Sequence, residues 1–150
     1  MSRKLLAMGN VLMGDDGIGI HLATALQEEL SAMGIEVIYG ETDIGYCITN
    51  IQEDDYIIIV DAADFGATTG DINKVPLEEI SSSKNVITGH SISFLELIKL
   101  YLPKIKGTVL EVQIAEINFQ YGLSQNLQNR FSRCAEDVLN YIRQITLLKE

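Results

Sequence analysis

Cysteine is scarce in this chain, which contains only Cys47 and Cys134 among its 150 residues. The two cysteines are far apart and form no C-x-x-C pair, so neither a zinc ribbon nor a thioredoxin-like site is indicated. Cys134 falls on the apolar stripe of a predicted terminal helix, and Cys47 falls in a loop-like stretch. We interpret both as structural thiols rather than reactive ones.

Basic residues and long apolar runs are also few. Eleven lysines and arginines stand against 21 aspartates and glutamates, which gives a net charge of −10. This balance disfavours binding to nucleic acid and favours partners that are neutral, basic or metal-bearing. The first apolar stretch is too short for a signal-peptide core or a membrane span. We therefore expect a cytoplasmic protein without nucleic-acid or membrane partners, and we take it to be a monomer.

Several common catalytic and binding signatures are missing. There is no G-x-S-x-G elbow and no H-E-x-x-H sequence, which disfavours a serine hydrolase and a standard zinc protease. The turn Gly14-Asp15-Asp16-Gly17-Ile18-Gly19 differs in glycine order from the G-x-G-x-x-G dinucleotide fingerprint, and its two acids would repel a pyrophosphate. A small nucleotide-binding module, with Glu41 as the ribose-binding acid, is therefore only a weak alternative for the function of this chain.

Hydrophobic periodicity predicts a three-layer α/β fold, with a twisted, mainly parallel sheet flanked by helices on both faces. The continuous β-branched run at 56–60 is typical of a strand that is covered on both faces. The other predicted elements are strands at 4–8 and 35–39, an edge strand at 72–75, a half-exposed strand at 108–114, helices at 18–33, within 44–53, at 91–102 and from about 124, and an exposed loop or mobile lid at 81–85.

Two acids and one histidine are predicted to converge at one edge of this sheet. Asp16 follows the first strand, Asp61 ends the third, and His90 precedes a helix whose positive end would keep its imidazole neutral. Two carboxylates and an imidazole suit a borderline divalent metal, which could polarise a carbonyl or activate water. Taken singly, each residue could instead be a helix cap or a turn residue. We interpret His21 as a surface residue.

These residues resemble those of the maturation endopeptidases of nickel-iron hydrogenases. The stretch from Gly9 to Gly19 matches the family pattern G-N-x-L-x-x-D-D-G-x-G at every fixed position. The stretch 58–62 is similar to the family's strand that ends in aspartate and alanine, and His90 falls where the family places its histidine. The resemblance covers nearly the whole chain and implies one hydrogenase maturation protease-like domain over residues 1–150.

The resemblance implies that Asp16, Asp61 and His90 are the catalytic and metal-contacting residues. It further implies an endopeptidase that removes the C-terminal extension of the hydrogenase large-subunit precursor after nickel insertion. The nickel of the precursor would be the recognition element, and no organic cofactor is implied. Glu41 and Asp43 depart from the family's glycine-rich link, where they could contact a basic tail or be solvated. A non-catalytic nickel-binding chaperone or docking module for the same precursor is the alternative.

Overall fold

The fold is an alternation of strands and helices, seen in a computed structural model that describes residues 2–79 and 89–148, without the side chains of 89–93 and 148. Two short 3₁₀ turns, Gly14–Gly17 and Leu77–Glu79, interrupt the alternation. In chain order the main elements are β1 (Arg3–Met8), α1 (Ile18–Ala25), α2 (Gln27–Ala32), β2 (Ile35–Glu41), α3 (Ile44–Thr49), β3 (Tyr56–Ala63), β4 (Ile72–Pro76), α4 (Gly89–Tyr101), β5 (Lys106–Gln113) and α5 (Gln125–Leu148).

The five strands form one sheet in the order β2-β1-β3-β5-β4. All neighbouring strands run parallel except β4, which is an antiparallel edge strand beside β5. The register pairs Ala7 with Val60 and Asp61 with Glu111. All eight residues of β3 are buried, which is the environment that its continuous β-branched run predicts.

Each face of the sheet carries its own apolar core. On one face α1, α2 and α5 pack through residues such as Ile18, Leu30 and Leu127. On the other face α3 and α4 pack through Cys47 and Phe94. Because helices cover both faces of a mostly parallel sheet, the predicted three-layer α/β fold is confirmed.

The prediction of a half-exposed β5 is wrong. Every residue of this strand after Lys106 is buried. The polar residues that produce the alternating pattern find partners inside the protein: Thr108 with the hydroxyl of Tyr56, Glu111 with Asn73, and Gln113 with Asp64. Buried polar groups are stable when they are hydrogen-bonded, so alternation in the sequence does not require an exposed face.

The helix predicted at 18–33 is divided at Leu26 into α1 and α2. Leu26 has φ −102° and ψ 8°, yet its N–H still donates to the carbonyl of Leu22 (3.0 Å). Within this segment Ala25 is exposed, whereas Ala23 is buried. The loop predicted at 81–85 lies outside the described residues. In the described part of the chain, no helix is both long and apolar enough to cross a membrane.

Candidate active site

Glycines shape the turn that follows β1 and allow its backbone to approach neighbouring elements closely. Gly9 has φ +123°, and a Cβ at this residue would lie 2.0 Å from the carbonyl oxygen of Asp16. A Cβ on Gly19 would lie 2.4 Å from the carbonyl oxygen of Val60 and 2.7 Å from that of Met8. These distances exclude a side chain, so both glycines are required for α1 to begin directly over the ends of β1 and β3.

Asp16 lies in the 3₁₀ turn and is buried. The backbone N–H of Asn10 donates to its Oδ2 at 2.9 Å, and Oδ1 of Asn10 accepts from the N–H of Leu12 at 2.9 Å. The motif asparagine therefore organises the loop that holds the aspartate. Asp16 is not the N-cap of α1, because that position is occupied by Gly17 and has no side-chain cap hydrogen bond.

Asp61 lies at the same edge of the sheet, within β3 and two residues before its end rather than at the end as predicted. Its Oδ1 accepts from the backbone N–H of Ala62 at 2.8 Å, and the residue is buried. The 3₁₀ turn that carries Asp16 contacts β3. The structure thus places both acids where the parallel strands β1 and β3 end, which is the usual location of ligand sites in open α/β sheets.

His90 is the second residue of α4. α4 ends shortly before β5 begins, so its carboxyl end lies at the edge of the sheet where the parallel strands begin. From there its 13 residues span roughly 20 Å toward the edge that carries the two acids. The side chain of His90 lies outside the described residues, so its approach to Asp16 and Asp61 stays a prediction. Among the described side chains, no group of three or more His, Cys, Asp or Glu is placed to hold a metal ion.

Asp15 has a separate, structural role that the sequence does not reveal. It is fully buried, and its Oδ1 accepts from the N–H of Ser124 at 2.7 Å. Its Oδ2 accepts from the hydroxyl of Ser124 at 2.8 Å and from the N–H groups of Ala115 at 3.0 Å and Glu116 at 3.2 Å. One carboxylate therefore joins both ends of the loop at 115–124 to the turn beside Asp16.

Glu111 is a buried acid that sequence reasoning overlooked, because β5 was predicted to be half exposed. It pairs in register with Asp61 and accepts a hydrogen bond from Nδ2 of Asn73 at 2.9 Å. Residues in register on neighbouring strands project to the same face of a sheet. Glu111 therefore places a further carboxylate beside Asp61, on the face that α4 covers.

The two additional acids after β2 have different roles. Asp43 is the N-cap of α3, where its Oδ1 accepts from the N–H of Tyr46 at 2.9 Å. This capping role differs from both predicted uses of Asp43, which were contact with a basic tail and solvation. Glu41 is exposed and has φ +54°, and its carbonyl oxygen accepts from the N–H of Gly9 at 3.0 Å.

Both cysteines are structural, as predicted, although Cys47 lies in α3 rather than in a loop. Burial raises the pKa of the Cys47 thiol to about 11 and that of Cys134 to about 12, so neither forms a reactive thiolate near neutral pH. The interpretation of His21 as a surface residue is wrong. Its side chain is half buried, its Nε2 has no hydrogen-bond partner among the described residues, and burial lowers its pKa.

Comparison with known proteins decides the family. Residues 20–141 match the family model of hydrogenase maturation proteases. The chain belongs to the hydrogenase maturation protease family. A candidate hydrogenase maturation protease of Methanocaldococcus jannaschii is 29% identical to it over 147 residues, covering 93% of this chain and 96% of the relative.

A further relative resembles this chain in sequence, and a solved structure resembles it in fold. The hydrogenase expression/formation protein HupD of Thiocapsa roseopersicina is 25% identical over 149 residues, covering 93% of this chain and 67% of HupD. The hydrogenase maturating endopeptidase HybD from E. coli has the same fold, with a TM-score of 0.78 at 22% identity over 96% of this chain and 93% of HybD. As a member of this family, the protein is a peptidase of hydrogenase maturation.

Proposed function

We propose that this maturation protease removes the C-terminal extension of the large-subunit precursor of a nickel-iron hydrogenase once nickel has been inserted, and that it recognises the nickel in that precursor. The observation that carries the proposal is the position of Asp16 and Asp61. Both are buried carboxylates on neighbouring strand ends, at the edge where parallel sheets bind their ligands.

The chemistry of these groups suits a metal ion that arrives with the substrate. Burial of a carboxylate costs free energy, which a bound divalent cation offsets. His90 would supply an imidazole nitrogen, completing an O/O/N set of the kind that borderline transition metals accept. In this proposal Asp16, Asp61 and His90 contact the nickel of the precursor, and the enzyme needs no resident metal or organic cofactor.

Contact with the nickel would fix the precursor so that its C-terminal extension lies along the carboxyl edge of the sheet. Hydrolysis then requires a water molecule to attack the scissile carbonyl and pass a proton to a base. The C–N bond breaks as that proton is returned to the departing amine. A carboxylate at this edge is a chemically suitable base, and we treat that role as a separate hypothesis. We further propose that the enzyme acts in the cytoplasm as a monomer.

The test is mass spectrometry of a large-subunit precursor from the same source, prepared with and without nickel and incubated with this protein. We expect loss of a short C-terminal peptide only from the nickel-loaded precursor. Asp16→Asn should abolish the cleavage, because the amide is a poor ligand for the metal and cannot act as a base. Glu136→Gln, which removes an exposed acid from α5, is the matched control and should cleave like the wild type.

Other outcomes of this experiment contradict the proposal in distinct ways. Equal cleavage of the nickel-free precursor would show that the enzyme does not recognise nickel. An uncut precursor that still binds through nickel would indicate a chaperone or docking module instead of a protease. Neither binding nor cleavage would mean that the substrate is a different protein.

A further inference from the structure

Three large apolar side chains are exposed next to the candidate active site. We call Leu12, Phe119 and Tyr121 the apolar rim; these residues are 52%, 88% and 73% exposed. Phe119 is the most exposed large hydrophobic residue in the described part of the chain. Aromatic side chains left in solvent near a functional site are typical of protein interaction surfaces.

The apolar rim is carried by backbone segments that are hydrogen-bonded to each other. Met13 and Gln120 form a parallel bridge, and the N–H of Gly14 donates to the carbonyl of Gln120 at 2.8 Å. The N–H of Gln120 in turn donates to the carbonyl of Leu12 at 3.0 Å. The three rim residues therefore lie side by side on an ordered platform, which reduces the entropy lost when a partner binds.

The platform is continuous with the candidate active site. Asp15 holds both ends of the loop that carries Phe119 and Tyr121, through its hydrogen bonds to Ala115, Glu116 and Ser124. Asp16, the next residue, accepts a hydrogen bond from the N–H of Asn10, which precedes the rim residue Leu12 in the same turn. The rim therefore adjoins the turn that holds Asp16, and a substrate bound at this turn can extend over the rim.

The charge around the rim indicates what kind of partner fits. In the described part of the chain, the loops at this edge, 9–17, 42–43, 64–71 and 114–124, contain acids but no lysine or arginine. Arg130 of α5 lies beside them and is paired with Asp71 at 3.8 Å. Glu41 and Glu116 are exposed here, whereas Arg3, Lys4 and Lys106 lie where β1 and β5 begin, at the opposite edge. An apolar surface within an acidic field favours a partner segment that is apolar with basic residues beside it.

We propose that the apolar rim is the docking surface for the body of the hydrogenase large-subunit precursor, which would place an apolar segment with flanking basic residues on Leu12, Phe119 and Tyr121. This inference rests on the proposed function, since the rim adjoins the site where the precursor is cut. A second copy of this chain is a poorer occupant, because two acidic edges of a protein with net charge −10 repel each other.

The test compares the double variant Phe119→Ser/Tyr121→Ser with the wild type in steady-state cleavage of the nickel-loaded precursor. We expect KM to rise about tenfold or more, as for other aromatic interface residues, while kcat stays within about twofold. The matched control is Leu100→Ser/Tyr101→Ser, which changes residues that are 70% and 64% exposed at the far end of α4. The control should leave both constants unchanged, and added salt should raise the wild-type KM.

Four results would overturn the docking inference. If the wild type cleaves the precursor and the rim variant has the same KM, the rim is not the docking surface. A fall in kcat at constant KM would assign the rim to the chemical step, and a KM that is insensitive to salt would exclude a basic partner. Sedimentation that shows a wild-type dimer lost in the rim variant would identify a second copy as the occupant. Absence of cleavage by the wild type would instead contradict the proposed function.

Discussion

Two adjacent aspartates with the same chemistry have different roles because successive residues of the turn point in different directions. Asp16 faces the edge where β1 and β3 end and is held there by Asn10. Asp15 points into the protein and accepts hydrogen bonds from Ala115, Glu116 and Ser124. The D-D pair of the motif thus combines a residue that faces the candidate site with one that holds the surrounding loops together.

Replacement of Asp15 by alanine should destabilise the protein strongly. It removes the acceptor for three backbone N–H groups and one hydroxyl in a buried setting, and unsatisfied buried donors are costly. We expect a loss of roughly 3–5 kcal/mol in the free energy of unfolding, measured by urea denaturation. Asp43→Ala, which removes only the helix cap of α3, should cost about 1 kcal/mol. Equal losses for the two variants would contradict the structural role of Asp15.

At the scale of elements, the site depends on how closely α1 approaches the sheet. The approach occurs at Gly19, where the carbonyl oxygens of Val60 and Met8 leave no room for a Cβ. Any side chain at Gly19 must push α1 away from β1 and β3. Such a movement would also shift the 3₁₀ turn that carries Asp16, because this turn leads directly into α1.

Gly19→Ala should therefore reduce both stability and activity. We expect a loss of about 1–3 kcal/mol in the free energy of unfolding from overpacking, together with reduced cleavage of the precursor. The control is Gly45→Ala in α3, where the added Cβ would meet only Oδ1 of Asp43 at 3.6 Å. That variant should be stabilised by about 0.5–1 kcal/mol, because alanine is the better helix former. A Gly19 variant as stable as the wild type would show that the helix can move without cost.

The elements that the sequence predicted well are those with one dominant signal. The β-branched run of β3 and the apolar stripe of α5 each have a single interpretation, and both are found. β5 was assigned the wrong burial because its polar residues have partners on β3, on β4 and in the loop after β3, which a local pattern cannot show. The positions of Asp16 and Asp61 followed from strand polarity alone. The role of Asp15 depends on residues about 100 positions away, so no local signal could reveal it.

At the scale of the whole molecule, acids lie at both ends of the parallel strands. Where the strands begin, acids such as Glu53, Asp54 and Asp55 are accompanied by Arg3, Lys4 and Lys106, whereas the acidic loops where the strands end lie beside the apolar rim. The net charge of −10 is therefore concentrated partly at the candidate active site. These acids repel one another, which destabilises the folded protein in the absence of a basic partner. The same acids attract such a partner when one is present.

Added sodium chloride should therefore stabilise the free protein. Salt screens the repulsion between acids, and we expect the thermal midpoint to rise by about 2–4 °C, which corresponds to about 1 kcal/mol for a chain of this size. The double variant Glu41→Gln/Glu116→Gln changes the net charge from −10 to −8 by removing two exposed acids at the candidate site. It should have a higher midpoint at low salt and a smaller response to salt, as measured by calorimetry. A midpoint that falls with salt would mean that attractive ion pairs such as Lys4–Asp55, at 2.9 Å, outweigh the repulsion.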